Sequence, residues 1–236
     1  MEKELKRIVD EFDISDHMGS RLWKLNSFEI VIVCDDSGSM NTVPENQNKS
    51  RWVDLHEIVK LILRIGIIFD SNGVDIYFLN QEPILDVKDI RAIDEVFKRK
   101  PEGYTPLATV LEYIFKLPAS RVDNDKNLLV FIVTDGAAID EDGRENLNEV
   151  ENLLKTKRNP KTTFVNFLSC TNDPRYKTTM HRWDHEIENL DVTDDYTTEC
   201  ERVRDVRGPN ARLSRGDYVV KALIGAIDPE IDSMDD

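Results

Sequence analysis

Apolar residues along this chain fall into two alternating patterns. Four stretches read as strands: 28–34 (Phe-Glu-Ile-Val-Ile-Val-Cys), 74–79 (Val-Asp-Ile-Tyr-Phe-Leu), 127–134 (Asn-Leu-Leu-Val-Phe-Ile-Val-Thr) and 162–169 (Thr-Thr-Phe-Val-Asn-Phe-Leu-Ser). The first and third are nearly continuous in apolar residues, as expected of central strands covered on both faces of a parallel sheet. Between them the spacing becomes helical. Residues 51–70, with Ser50 placed to cap them, carry Trp52, Leu55, Ile58, Val59, Ile62 and Ile65 over so much of the circumference that the helix must be largely buried. Helices are also predicted at 87–97 (Val87, Ile90, Ile93, Phe97), 106–117 (Leu107, Val110, Leu111, Ile114, Phe115), 145–157 and 217–227. Strand–helix alternation of this kind predicts an α/β fold, a doubly wound, mostly parallel sheet flanked by helices.

Two segments lie outside the alternation. Residues 1–26 read as a leading amphipathic helix and connector, with Leu5, Ile8, Val9 and Phe12 on one face, and the last residues form a short acidic tail. At 236 residues, with no repeat and no low-complexity linker, one domain is expected. No apolar run reaches the ~20 residues of a membrane span, and Met1–Arg7 is followed by no signal-peptide core. Three widely spaced cysteines, Cys34, Cys170 and Cys200, suit a reducing, cytoplasmic setting. The formal net charge is −15, from 46 acidic and 31 basic residues. Such a balance argues against nucleic acid and against anionic membranes as partners, because both need a basic face.

Candidate chemistry begins where the first strand ends. Asp35-x-Ser37-x-Ser39 opens an oxygen-rich loop in which residues two apart point the same way while the backbone is extended. Gly38 is expected to give that loop a tight turn. Ligands of such sheets bind beyond the carboxyl ends of the strands, so other loops at that edge should complete the site. The third strand ends in Thr134-Asp135-Gly136, and Gly103-Tyr104-Thr105-Pro106 precedes the 106–117 helix. Two carboxylates and three hydroxyls make an all-oxygen set that suits Mg²⁺ or Mn²⁺; without His or Cys it does not suit zinc.

Asp35-x-Ser37-x-Ser39, then Thr105, then Asp135, resembles the complete metal-ion-dependent adhesion site (MIDAS) of von Willebrand factor A (vWA) domains. The resemblance covers about residues 28–227. Val74–Asn80, Asp191–Tyr196 and Gly216–Leu223 look like its compact intracellular branch, which occurs as stand-alone chains in fungi, plants, amoebae and some large DNA viruses. Tyr104 stands where the family more often has Gly. The resemblance implies a vWA domain over 27–228, a helix and connector over 1–26 packed on it, and an acidic tail over 229–236. It further implies Mg²⁺ held by Asp35, Ser37, Ser39, Thr105 and Asp135, with one coordination position left for an Asp or Glu of a partner protein. The function expected is a non-catalytic protein-interaction module. The alternatives are a structural subunit of a larger complex or particle, or an Mg-dependent hydrolase or ATPase-linked factor; no phosphate-cradling Gly-x-x-x-x-Gly-Lys loop is present to favour the latter.

Other matches are weaker. Asp36-Ser37-Gly38 imitates the active-site turn of aspartic proteases, which need two such turns on an all-β scaffold. An aspartyl-nucleophile phosphatase needs a carboxylate where Ser37 stands. His181 and His185 share a helix face, but Arg182 replaces the Glu of the metalloprotease motif, and a surface helix is expected. Asp191, Asp194 and Asp195 are expected to form a solvated acidic loop or to cap a following helix. Arg175, Tyr176 and Lys177 form a basic-aromatic patch too small for nucleic acid.

Overall fold

The computed structural model describes residues 1–236 apart from 46, 47, 123, 137, 141, 172, 235 and 236. Its strands are β1 (Phe28–Cys34), β2 (Val74–Phe78), β3 (Ile84–Val87), β4 (Asn127–Thr134), β5 (Thr163–Ser169) and β6 (Leu190–Thr193). They form one sheet in the order β3-β2-β1-β4-β5-β6, parallel throughout except for β3, which runs antiparallel to β2. The helices are α1 (Glu2–Glu11), α2 (Asp16–Arg21), α3 (Arg51–Phe69), α4 (Asp94–Phe97), α5 (Leu107–Ile114), α6 (Leu147–Asn152), α7 (Pro174–Glu186), α8 (Tyr196–Arg207), α9 (Arg215–Ile224) and α10 (Pro229–Asp232).

The pleat of the strands divides the core in two. Ile30, Ile32 and Cys34 of β1, with Leu129, Phe131 and Val133 of β4, face a layer containing α1, α3 and α9. Val31, Val33, Leu128, Val130 and Ile132 face the opposite way, onto α5, α6 and α7. Alternate residues along a strand point to opposite faces, so a strand apolar at every position has helices on both sides. This is why β1 and β4 read as continuous apolar runs.

Several expectations are corrected. Residues 87–97 are not one helix. Val87 pairs with Val74 in the sheet, Asp89 accepts a hydrogen bond from the Arg91 amide, and a short 3₁₀ turn (Ile90–Ile93) leads into α4. The apolar stripe is nonetheless real, since Ile93 and Phe97 are buried. After α6 the chain continues over Leu153–Lys157 as a π-helical turn. Strand β6 was not anticipated, and Asp191 and Asp194 are buried in and beside it. Only Asp195 acts as expected, capping α8 by accepting from the amides of Thr197 and Thr198.

The 229–236 stretch, expected as an acidic tail, starts as a docked helical turn. Asp228 caps α10 and is itself held by Lys24 (3.1 Å) and Arg21 (3.5 Å), while Ile231 is fully buried. The end of the tail, 235–236, lies outside the described residues. The N-terminal segment packs on the same layer: Leu5 and Ile8 of α1 are buried, and the Ser15 amide donates to Asp217 of α9 at 2.7 Å. Cutting Ile231 back to Ala should therefore remove about 2–4 kcal/mol of stability, the usual cost of truncating a buried Ile. Urea denaturation checks this; a loss below ~0.5 kcal/mol, the range of surface substitutions, would mean that the turn is not docked.

Candidate metal centre

Strands β1 and β4 are in parallel register, with Cys34 opposite Val133, so the two chains leave the sheet within one residue of each other. The Asp35 amide still donates to the Val133 carbonyl at 3.0 Å, which holds Asp35 at the mouth of the sheet beside the Thr134–Asp135 step. Asp35 is buried, and each of its carboxylate oxygens accepts a bond: Oδ1 from the Ser37 amide (3.0 Å) and Oδ2 from the Thr134 hydroxyl (2.7 Å). Ser37 is extended, and a 3₁₀ turn over Gly38–Asn41 then brings the Ser39 hydroxyl within 2.9 Å of that of Ser37. The two hydroxyls thus converge through a turn rather than by extended alternation.

Gly38 itself is not the tight point, for a Cβ there would meet only the Gly103 carbonyl at 3.9 Å. The demanding glycine is Gly103, with φ +95° and Asn80 Oδ1 2.5 Å from where a Cβ would lie. A second, Gly136, turns the chain sharply after Asp135 with φ +82°.

Thr105 comes from the loop before α5. Its amide donates to the Ile139 carbonyl and its carbonyl accepts from the Ile139 amide (both 3.1 Å), tying this loop to the one that follows Asp135, and it is buried. The Gly38 amide donates to Gly103 (3.2 Å), the Glu102 amide to the Asp36 carbonyl (2.9 Å), and Asn41 Nδ2 to the Pro101 carbonyl (2.7 Å). Asp36, no member of the predicted set, is the main brace. It accepts from the Asn80 amide (2.8 Å), Asn80 Nδ2 (3.1 Å) and Gln81 Nε2 (3.0 Å), linking the ends of β1 and β2. All five predicted residues thus lie on three cross-bonded loops at one end of the sheet. Sequence reasoning missed Asp36, Thr134 and, above all, Arg51, whose Nη1 lies 3.0 Å from Asp135 Oδ2. No local pattern announces Arg51, because its partner is 84 residues away.

Electrostatically the site sets the carboxylates of Asp35 and Asp135 against the single guanidinium of Arg51. Burial, and next the charge of Asp135, push the Asp35 carboxyl up to about 6, against the hydrogen bonds from Ser37 and Thr134. Two carboxylates and three hydroxyls on adjoining loops, all buried but Ser39 and with one carboxylate resisting ionisation, are a donor set of the kind a hard divalent ion with oxygen ligands takes.

The chain is similar in fold to the pilus adhesin SpaC of Lactobacillus rhamnosus GG, with a TM-score of 0.51 and 12% sequence identity over 88% of this chain. That likeness carries the fold alone. The matched region is 30% of the adhesin's length. No family model and no curated protein matches the chain.

The secondary candidates are also placed. His181 lies on α7, 3.0 Å from Asp194 and 2.9 Å from Arg202, on a helix that buries Met180 and Trp183. Arg175 pairs with Asp173, and Lys177 with Asp194 and Asp195, so the basic patch is neutralised. A polar cavity of about 200 Å³ is lined by His181, His185, Arg202, Lys221 and a carboxylate trio, Asp184, Asp191 and Asp232.

Burial, then the charge of Asp232, raises Asp184 to about 6. The unfolded chain gives up this proton near 3.8, so the proton favours the native state below about pH 4, and that advantage is lost as pH rises to about 6. Asp184→Asn should therefore be more resistant to urea than the wild type at pH 7 and no more resistant at pH 4. Equal denaturation midpoints at both pH values would contradict this.

Proposed function

We propose that this chain is a vWA-type domain with a doubly wound sheet, a cytoplasmic protein-interaction module that binds Mg²⁺ or Mn²⁺ at a MIDAS formed by Asp35, Ser37, Ser39, Thr105 and Asp135. The observation that carries this reading is the convergence of these residues on three cross-bonded loops at the carboxyl ends of β1 and β4, with Asp35 resisting ionisation beside Asp135. The sheet order, with one antiparallel edge strand, supports the fold assignment. None of the described helices is long and apolar enough to cross a membrane, and the three cysteines are unpaired.

When bound, the ion would supply a positive, Lewis-acidic point at which an Asp or Glu carboxylate of a partner can be held. The chain's own residues do the rest. Asp35 and Asp135 provide the charge, Ser37, Ser39 and Thr105 provide neutral oxygens, and so few carboxylates leave a divalent ion able to attract an anion. Asp36, Asn80 and Asn41 keep the loops in place, so little ordering entropy remains to be lost on binding. Val43 and Tyr104, exposed on the same loops, offer apolar contact around the polar centre. On this reading the hydroxyls serve as ligands and the role is binding rather than catalysis.

Calorimetry should find one site for Mg²⁺ or Mn²⁺ in the wild type and none in Asp35→Ala. The melting temperature should rise with Mg²⁺, since ion at one hundred times its Kd adds about 2.7 kcal/mol. Equal ion binding by the mutant would refute the assignment. Partner capture should be abolished by EDTA and by replacing one acidic residue of the partner. Thr105→Ala should weaken capture more than it weakens ion binding, and a partner retained in EDTA would place recognition elsewhere.

A further inference from the structure

Arg51 belongs to no ligand set, yet its charge lies at the centre of the site. It is the first residue of α3. Ser50 caps that helix, and the Arg51 amide donates to the Thr42 carbonyl at 3.0 Å, which binds the helix start to the turn carrying Ser39. The side chain is 15% exposed and puts Nη1 3.0 Å from Asp135 Oδ2. The backbone therefore fixes where this guanidinium starts, and the ion pair fixes where it ends.

We propose that Arg51 is a tethered cation that competes with the divalent ion for Asp135, and so sets the ion concentration at which the site fills. This rests on the reading of the site as a metal centre. In the metal-free protein, Asp35 and Asp135 bring two negative charges to one edge, and Arg51 returns one positive charge. A divalent ion at the same oxygens meets that positive charge at short range, in surroundings that screen poorly. Bound ion and paired Arg51 therefore oppose one another.

The pairing is also incomplete, which makes it reversible. Arg51 Nε is buried without a hydrogen-bond partner, and an unsatisfied buried donor is costly. A guanidinium that leaves Asp135 for solvent recovers hydration at Nε, partly offsetting the loss of the pair. Arg51 is thus held by charge rather than by a full set of hydrogen bonds, and an ion that supplies more charge to Asp135 can release it. The released guanidinium remains tethered at the rim, available to a carboxylate arriving at the ion.

The test is calorimetric titration of wild type, Arg51→Gln and Arg51→Lys with MnCl₂, with circular dichroism as the check on folding. Gln keeps hydrogen-bonding capacity and loses the charge, so Arg51→Gln should bind Mn²⁺ about tenfold more tightly than the wild type. Lys keeps the charge, and Arg51→Lys should stay within about threefold of the wild type. A merely structural role for Arg51 would weaken Mn²⁺ binding instead. Equal or weaker binding by a folded Arg51→Gln overturns the proposal while leaving the metal centre intact. If neither the wild type nor Arg51→Gln binds Mn²⁺, the metal centre falls, and the proposal with it. A second measurement needs no variant: the Arg51 Nε–H signal in the NMR spectrum of the wild type should move as Mg²⁺ is added. A signal unchanged at saturating Mg²⁺ also overturns the proposal.

Discussion

Two carboxylates forced to the same edge of a buried sheet are the constraint around which this molecule is arranged. Strand β4 runs one residue further than β1, so Asp35 emerges beside Thr134 and one step from Asp135, where water is scarce. Burial there penalises the charged form and the charge of Asp135 adds to it, which together push the Asp35 carboxyl up to about 6. Two responses are built from the chain: an amide and a hydroxyl turned toward Asp35, and a guanidinium laid against Asp135. The proposed ion would answer the same electrostatic deficit as Arg51, and on that reading the two oppose each other.

The loops hold that arrangement through bonds that serve no ligand. Asp36 gathers the end of β2 onto the end of β1, Asn80 continues to the Tyr104 carbonyl, and Asn41 reaches Pro101. Gly103 lets the middle loop pass close to Asn80, where a side chain would collide. Function-bearing loops on a rigid scaffold are usual; here the loops are also tied to one another. The loops are therefore preorganised, and a partner of the proposed module would meet a surface that needs little rearrangement.

The central strands, and the placing of Asp35, Ser37 and Ser39 on one loop, were legible because their signals are local. A strand buried on both faces is apolar at every position, and Asp35-x-Ser37-x-Ser39 lies within five consecutive residues. What escaped depends on distant partners. Strands β3 and β6 have four residues each and exist through their pairing with β2 and β5. Asp191 and Asp194 look like a solvated loop until Lys177, His181 and Arg202 close over Asp194 and β6 carries Asp191 inside. The turn around Ile231 reads as an acidic tail until Arg21 and Lys24 meet Asp228. Arg51 is the clearest case: it reads as an ordinary helix-opening residue, and only the fold brings it to Asp135.

The central claim is that one divalent ion is held where the loops after β1 and β4 meet the loop before α5. Anomalous diffraction from crystals soaked in MnCl₂ tests it most directly. The account predicts a single strong peak bounded by Asp35, Ser37, Ser39, Thr105 and Asp135, with oxygens at about 2.0–2.2 Å as hard octahedral ions require. A peak at Asp184, Asp191 and Asp232 instead, or no peak at the loop junction at saturating Mn²⁺, would contradict it.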